Sequence, residues 1–131
     1  MRETFSEDIK QYHSEEILMI LYILSSDLST YSDSTLISFT EDIEGRIDVL
    51  FEANFLNSLT HFLPINSDFM GEFIELKNLV TILYSSEWYK KLKNNSNENI
   101  INIKKLAFSI LKKLKIEYIE PLKYSDENLK I

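Results

Sequence analysis

Four carboxylates set the only spacing in this chain that could carry chemistry. Glu41, Glu44, Asp48 and Glu52 follow one another at intervals of three, four and four, which places them along one helical face. A row of this kind has three readings, taken in order. It can be a solvated face, a docking surface for the Lys and Arg side chains of a partner, or a carboxylate cluster for a divalent metal or acid–base catalysis. Like charges at this spacing cost a helix only about 0.2–0.5 kcal/mol per pair, and Arg46 is placed to offset part of that. The two histidines, His13 and His61, have no second histidine at ligand spacing, and both read as surface or half-buried structural residues. Glu15 and Glu16 follow His13, so a carboxylate is close enough in sequence to orient its ring. Cysteine is absent, which removes disulfides, thiolate metal sites and a Cys nucleophile. Gly45 and Gly71 stand alone, so no glycine-rich phosphate loop can form. The catalytic, metal and cofactor assignments are therefore none.

Trp88 and Tyr89 are the other candidates. Aromatic residues of this type are enriched at binding hot spots. Trp88 falls on an apolar stripe and is expected in the core. Tyr89, one position off it, is the expected exposed aromatic contact.

The elements that must position these residues are helices. Only 2 Gly and 2 Pro occur in 131 residues, too few for a sheet protein with many tight turns. Ile17 to Leu24 is the strongest apolar run and reads as a buried helix, at less than half of the ~20 residues a bilayer span needs. It starts near Ser6 or Ser14, both followed by acidic first-turn residues. Asp27 to Thr40 reads as a loop with one short helix. Thr40-Glu41-Asp42-Ile43 opens an amphipathic helix with Ile43, Ile47, Leu50 and Phe51 inward, continued in phase by Phe55, Leu56 and Leu59. Gly45 within it reads as room for close packing, and Gly71 as a turn or helix start. The chain breaks at Pro64 to Asp68. Helical spacing resumes with Phe73, Leu76, Val80 and Leu83. Asn94 to Asn99 is a loop, and the last long helix carries Ile103, Leu106, Ile110 and Leu114. Pro121 marks a late break, and a loose tail is expected from about 124. The whole of 1–131 reads as a single helical domain.

Ile43, Ile47, Phe51, Phe55 and Leu59 align with Leu76, Val80, Tyr84, Trp88 and Leu92 at a shift of 33. The second series aligns with Leu106, Ile110, Leu114, Tyr118 and Leu122 at a shift of 30. Periods of this size mark stacked helical repeats. The stretches Phe73 to Leu92 and Lys104 to Leu122 resemble the paired helices of armadillo or HEAT repeats, over about residues 40–122. The fold class is all-α, as a short armadillo/HEAT-like solenoid or an irregular helical bundle.

Charge narrows the function. The net charge is −7. Residues 1–60 carry 12 acidic and 3 basic side chains, whereas residues 61–131 carry 9 acidic and 11 basic. Nucleic-acid binding needs a positive footprint, which the total opposes, although Lys90, Lys91, Lys93, Lys104, Lys105, Lys112, Lys113 and Lys115 make the second half mildly basic. An acidic half attracts a basic partner and speeds its docking. The N-terminus is polar and acidic, without the pattern of a secretion signal, and a cytoplasmic location without membrane contact is expected.

In size, acidity and lack of catalytic motifs, the chain resembles bacterial immunity proteins of contact-dependent growth inhibition and other polymorphic toxin systems. The resemblance implies a non-catalytic module that binds a toxin domain through a basic surface of the toxin. Glu41, Glu44, Asp48 and Glu52 would be the contact residues. An adaptor or scaffold and a carboxylate-dependent enzyme are the alternatives. Oligomeric state is not legible.

Overall fold

A computed structural model describes the backbone of residues 2–128 and the side chains of residues 9–126. Seven helices lie within them and no strand: α1 (Arg2–Ser25), α2 (Asp33–Leu50), α3 (Ala53–Ser58), α4 (Ser67–Ile82), α5 (Tyr89–Leu92), α6 (Glu98–Lys113) and α7 (Pro121–Asn128). No helix among the described residues is long and apolar enough to cross a membrane.

α1 is the central post. Ile20, Leu21, Tyr22, Ile23 and Leu24 are all buried. Five consecutive buried positions cover every side of a helix, so partners must surround it. They do: α6 packs along it most extensively, and α2 and α7 cover other sides. Ser14 is not a cap, because α1 is already helical before it. Its hydroxyl donates back to the Gln11 carbonyl at 2.7 Å, a bond that lets serine sit inside a helix. The side chain of Ser6 lies outside the described residues.

α2 begins seven residues before the expected start. Ser32 is its cap, with the hydroxyl accepting from the Thr35 amide at 3.2 Å. Thr40 lies mid-helix and donates to the Ile37 carbonyl at 2.9 Å. The polar stretch could become helix because Leu36, Phe39, Ile43, Ile47 and Leu50 form one buried stripe. Burial of that stripe outweighs the weak helix propensity of Ser and Thr. Gly71 is likewise inside a helix, α4, rather than at its start. A Cβ on Gly45 or Gly71 would meet nothing within 4 Å, so neither glycine serves close packing.

The long helices α4 and α6 open on short polar side chains before apolar stripes. Asn66 opens α4, accepting from the Asp68 amide at 2.8 Å. Asn97 opens α6, accepting from the Asn99 amide at 2.8 Å. α6 ends in a Schellman turn: the Ile116 amide donates to the Leu111 carbonyl at 3.0 Å and the Lys115 amide to the Lys112 carbonyl at 3.0 Å. Lys115 occupies the left-handed position usually given to glycine, at φ 61°.

The expected loose tail is largely helix. Pro121 takes the first position of α7, where its missing N–H costs nothing. The Glu120 carboxylate accepts from the Leu122 and Lys123 amides at 3.1 and 3.0 Å. Tyr124 is 4% exposed, with its ring 4.9 Å from that of Tyr22. Residues 129–131 of the expected tail lie outside the described residues. The buried aromatic face holds the segment down, and composition alone could not show it.

The apparent 30–33-residue period has a structural counterpart. Each series runs along a long helix and into a short one: α2 into α3, α4 into α5, α6 into α7. Contacts between α1 and both α6 and α7 close the ends of the chain against each other, in the manner of a bundle. The protein is all-α.

Candidate functional site

The acidic row is built on α2, and the fold treats its four members differently. Glu41, Glu44 and Asp48 face solvent along the helix. Glu52 falls past the end of α2. Its carboxylate caps α3, accepting from the Asn54 and Phe55 amides at 3.0 Å each. The carboxylate row thus stops at Asp48, because the caps at Phe51 and Glu52 break the helix on which the spacing of four depended.

A groove of about 490 Å³ runs between α2 and the turn that leads into α5. From α2 it takes Ile37, Thr40, Glu41 and Glu44. From the turn it takes Glu87, Trp88 and Tyr89. Three of the five candidate residues, Glu41, Glu44 and Tyr89, therefore meet in one place. Asp48 lies one turn further along α2, and Glu52 is spent as a cap. Tyr89 is half-buried rather than fully exposed, since its ring also packs on the core. Trp88 is 2% exposed, as its place on the apolar stripe implies.

Trp88 also organises the groove. Its indole N–H donates to the Glu44 carboxylate, tying the α5 turn to α2. A buried indole N–H needs an acceptor, but sequence offers no way to know which of many carboxylates supplies it. Ile37 and Glu87 also line the groove, and no spacing in the sequence singles them out. Ile37 is 38% exposed at the groove edge. Glu87 adds a third carboxylate and pairs with Lys90 at 3.0 Å, both largely exposed, a contact of the kind worth about 0–1 kcal/mol.

Arg46 does not relieve the acidic row. It turns to α1, where Nε and Nη2 donate to the two Glu16 carboxylate oxygens at 3.2 and 3.1 Å. His13 completes the group, with Nδ1 2.6 Å from Glu16 and 3.1 Å from Arg46 Nη2. The ring of His13 meets Phe55 edge-on at 5.5 Å. This cluster joins α1, α2 and α3, and of the carboxylates following His13 it is Glu16 that orients the ring. His61 is exposed. The diversion of Arg46, the one basic residue of α2, leaves Glu41, Glu44 and Asp48 with no cation from their own helix.

Tyr84 lies beneath Glu44 and Asp48. Its hydroxyl is buried with no hydrogen-bond partner among the described residues, and its pKa is pushed up to about 12 by burial and by the charges of Asp48 and Glu44. Its ring packs 5.2 Å from Trp88. Tyr84→Phe keeps that packing and removes the orphan hydroxyl. It is expected to raise unfolding free energy by about 1 kcal/mol, seen as a higher urea midpoint with an unchanged slope.

Among the described residues, no group of three or more His, Asp or Glu side chains is placed to hold a metal ion. What the arrangement offers is a negatively charged trough with an aliphatic edge and a half-buried aromatic wall. Such a surface complements Lys and Arg side chains, whose stems are apolar and whose heads are cationic. No protein-family model, curated protein or solved structure matches the chain.

Proposed function

We propose that this chain is a non-catalytic protein-binding module, an immunity protein that neutralises a bacterial toxin by covering a basic surface on it. The observation that carries the reading is the convergence of Glu41, Glu44 and Glu87 around Ile37 and Tyr89 in one groove. Arg46 is withdrawn from that face by Glu16. Complementary charge of this kind speeds association and selects partners, and a half-buried aromatic wall supplies contact area at low entropic cost. The setting is the bacterial cytoplasm, where such a module would meet the incoming toxin.

The first experiment is a growth assay in a heterologous bacterium. The C-terminal region of the protein encoded immediately upstream is expressed with and without this chain. Toxicity rescued by co-expression supports the reading and supplies the partner. Toxicity without rescue, or no toxicity, overturns it in favour of an adaptor that uses the same groove.

With the partner in hand, the acidic face that flanks the groove is tested at Glu41 and Asp48. Both face solvent and neither caps a helix nor holds an indole, unlike Glu52 and Glu44. The double variant Glu41→Lys/Asp48→Lys is expected to slow association about tenfold at low salt, with stability within about 0.5 kcal/mol of the parent. An unchanged association rate would remove this face from the interface.

A further inference from the structure

A second hollow lies on the opposite edge of α2, and none of the acidic-row residues lines it. It has a volume of about 320 Å³ and sits where α1, α2 and α7 meet. Its floor is apolar: Met19, Ile20 and Ile23 of α1. Asp42 and Arg46 of α2 stand at its mouth, with Ser125 of α7 on the far wall. A neighbouring hollow of about 310 Å³ shares Met19, Asp42 and Ser125, so Asp42 is reached from both sides.

The two charges at the mouth are not equivalent. The Arg46 guanidinium is held by both oxygens of Glu16. No hydrogen bond or ion pair holds the Asp42 carboxylate among the described residues. Around it stand Glu16 and Glu41, whose charges raise its pKa after the larger effect of partial burial. Glu16 is spent on Arg46, so Asp42 is the uncommitted charge at the mouth and leaves it negative. At about 300–1,000 Å³ for ligand pockets generally, this one is at the small end, suited to one side chain rather than a cofactor.

We propose that this pocket receives one long basic side chain, arginine or lysine, from the protein partner, its methylene stem on Met19, Ile20 and Ile23 and its cationic head on Asp42. The inference deepens the proposed function and rests on it for the identity of the partner, though not for the chemistry of the pocket. A stem on an apolar floor with its head at a carboxylate is the arrangement long basic side chains favour at half-buried sites. The site would anchor the partner while the acidic groove steers it.

The test is a titration followed by backbone amide chemical shifts, using Nα-acetyl-arginine amide as the probe. Saturable shifts are expected at Met19, Ile20, Asp42, Arg46 and Ser125, with a Kd on the order of 1–10 mM for so small a fragment. The uncharged Nα-acetyl-norleucine amide should bind about fivefold more weakly, as should the arginine probe to Asp42→Asn, the scale of one partly exposed ion pair. Asp42 has no partner to lose among the described residues, so this variant keeps the parent spectrum elsewhere. Glu44→Gln, in the other groove, should leave the affinity unchanged. The proposal is overturned by shifts confined to the Glu41–Glu44–Tyr89 groove, by equal binding of the neutral probe, by an Asp42→Asn variant that binds as the parent does, or by no saturable shift. Probe binding without growth rescue would sink the immunity reading and leave the pocket. Rescue without probe binding would do the reverse.

Discussion

Phe73→Ala is expected to lower the unfolding free energy by about 3–5 kcal/mol, the usual cost of emptying a large buried aromatic site. Phe73 is fully buried on α4. Its ring meets Phe51, at the end of α2, edge-on at 5.3 Å, and stacks with Phe69 at 6.3 Å. The substitution therefore loses transfer free energy and two aromatic contacts, one of them to the residue that ends α2. A domain of this size has about 5–15 kcal/mol in total, so the variant keeps little margin. Urea denaturation followed by far-UV circular dichroism gives the midpoint shift directly. A loss below about 1 kcal/mol would mean the three rings do not form the packed cluster described.

Tyr124→Ala is expected to cost about 3 kcal/mol, a value that separates two views of the C-terminal segment. A loose tail would make any substitution there neutral to within about 0.5 kcal/mol. In the structure Tyr124 packs edge-on against Tyr22 at 4.9 Å, and its hydroxyl donates to the Glu15 carbonyl at 3.2 Å. The segment before it is fastened too. The Tyr118 and Ser26 hydroxyls share a hydrogen bond at 2.6 Å, and the Tyr31 hydroxyl donates to Glu120. Four tyrosines thus clasp the C-terminal segment to α1 and to the loop after it. Tyr124→Phe, which removes only the hydroxyl, is expected to cost about 1 kcal/mol. The two variants together divide ring packing from hydrogen bonding. Equal, small effects for both would restore the view of a free tail.

That clasp shows where sequence reading ran out. Tyr22, Tyr31 and Tyr124 have no local context that assigns them a role, because their partners lie about 90 to 110 residues away in the chain. The start of α2 lies upstream of the local cap signal for a related reason. Thr40-Glu41-Asp42 has the composition of a helix cap, and only the burial of Leu36 and Phe39 by other helices overrides it. The same holds for Arg46. Its sequence neighbours are the carboxylates of α2, but the partner that wins is Glu16 of α1, which offers two oxygens in a half-buried setting. Local spacing proposes such pairs, and packing chooses among them.

By itself the sequence determined the helical class, the buried run Ile17 to Leu24, the inward stripes of the later helices, the core place of Trp88 and the acidic outer face of α2. Each of these follows from periodicity or composition within a single segment, where the helix geometry of 3.6 residues per turn converts spacing into a face. Tertiary structure alone decided that α1 is wrapped by α2, α6 and α7, that Glu44 meets Trp88, that Glu52 is consumed as a cap, and that Asp42 stands above an apolar floor with no hydrogen-bond or ion-pair partner among the described residues. These depend on which segments come together, and that choice is made by the summed burial of many side chains. No single motif carries it.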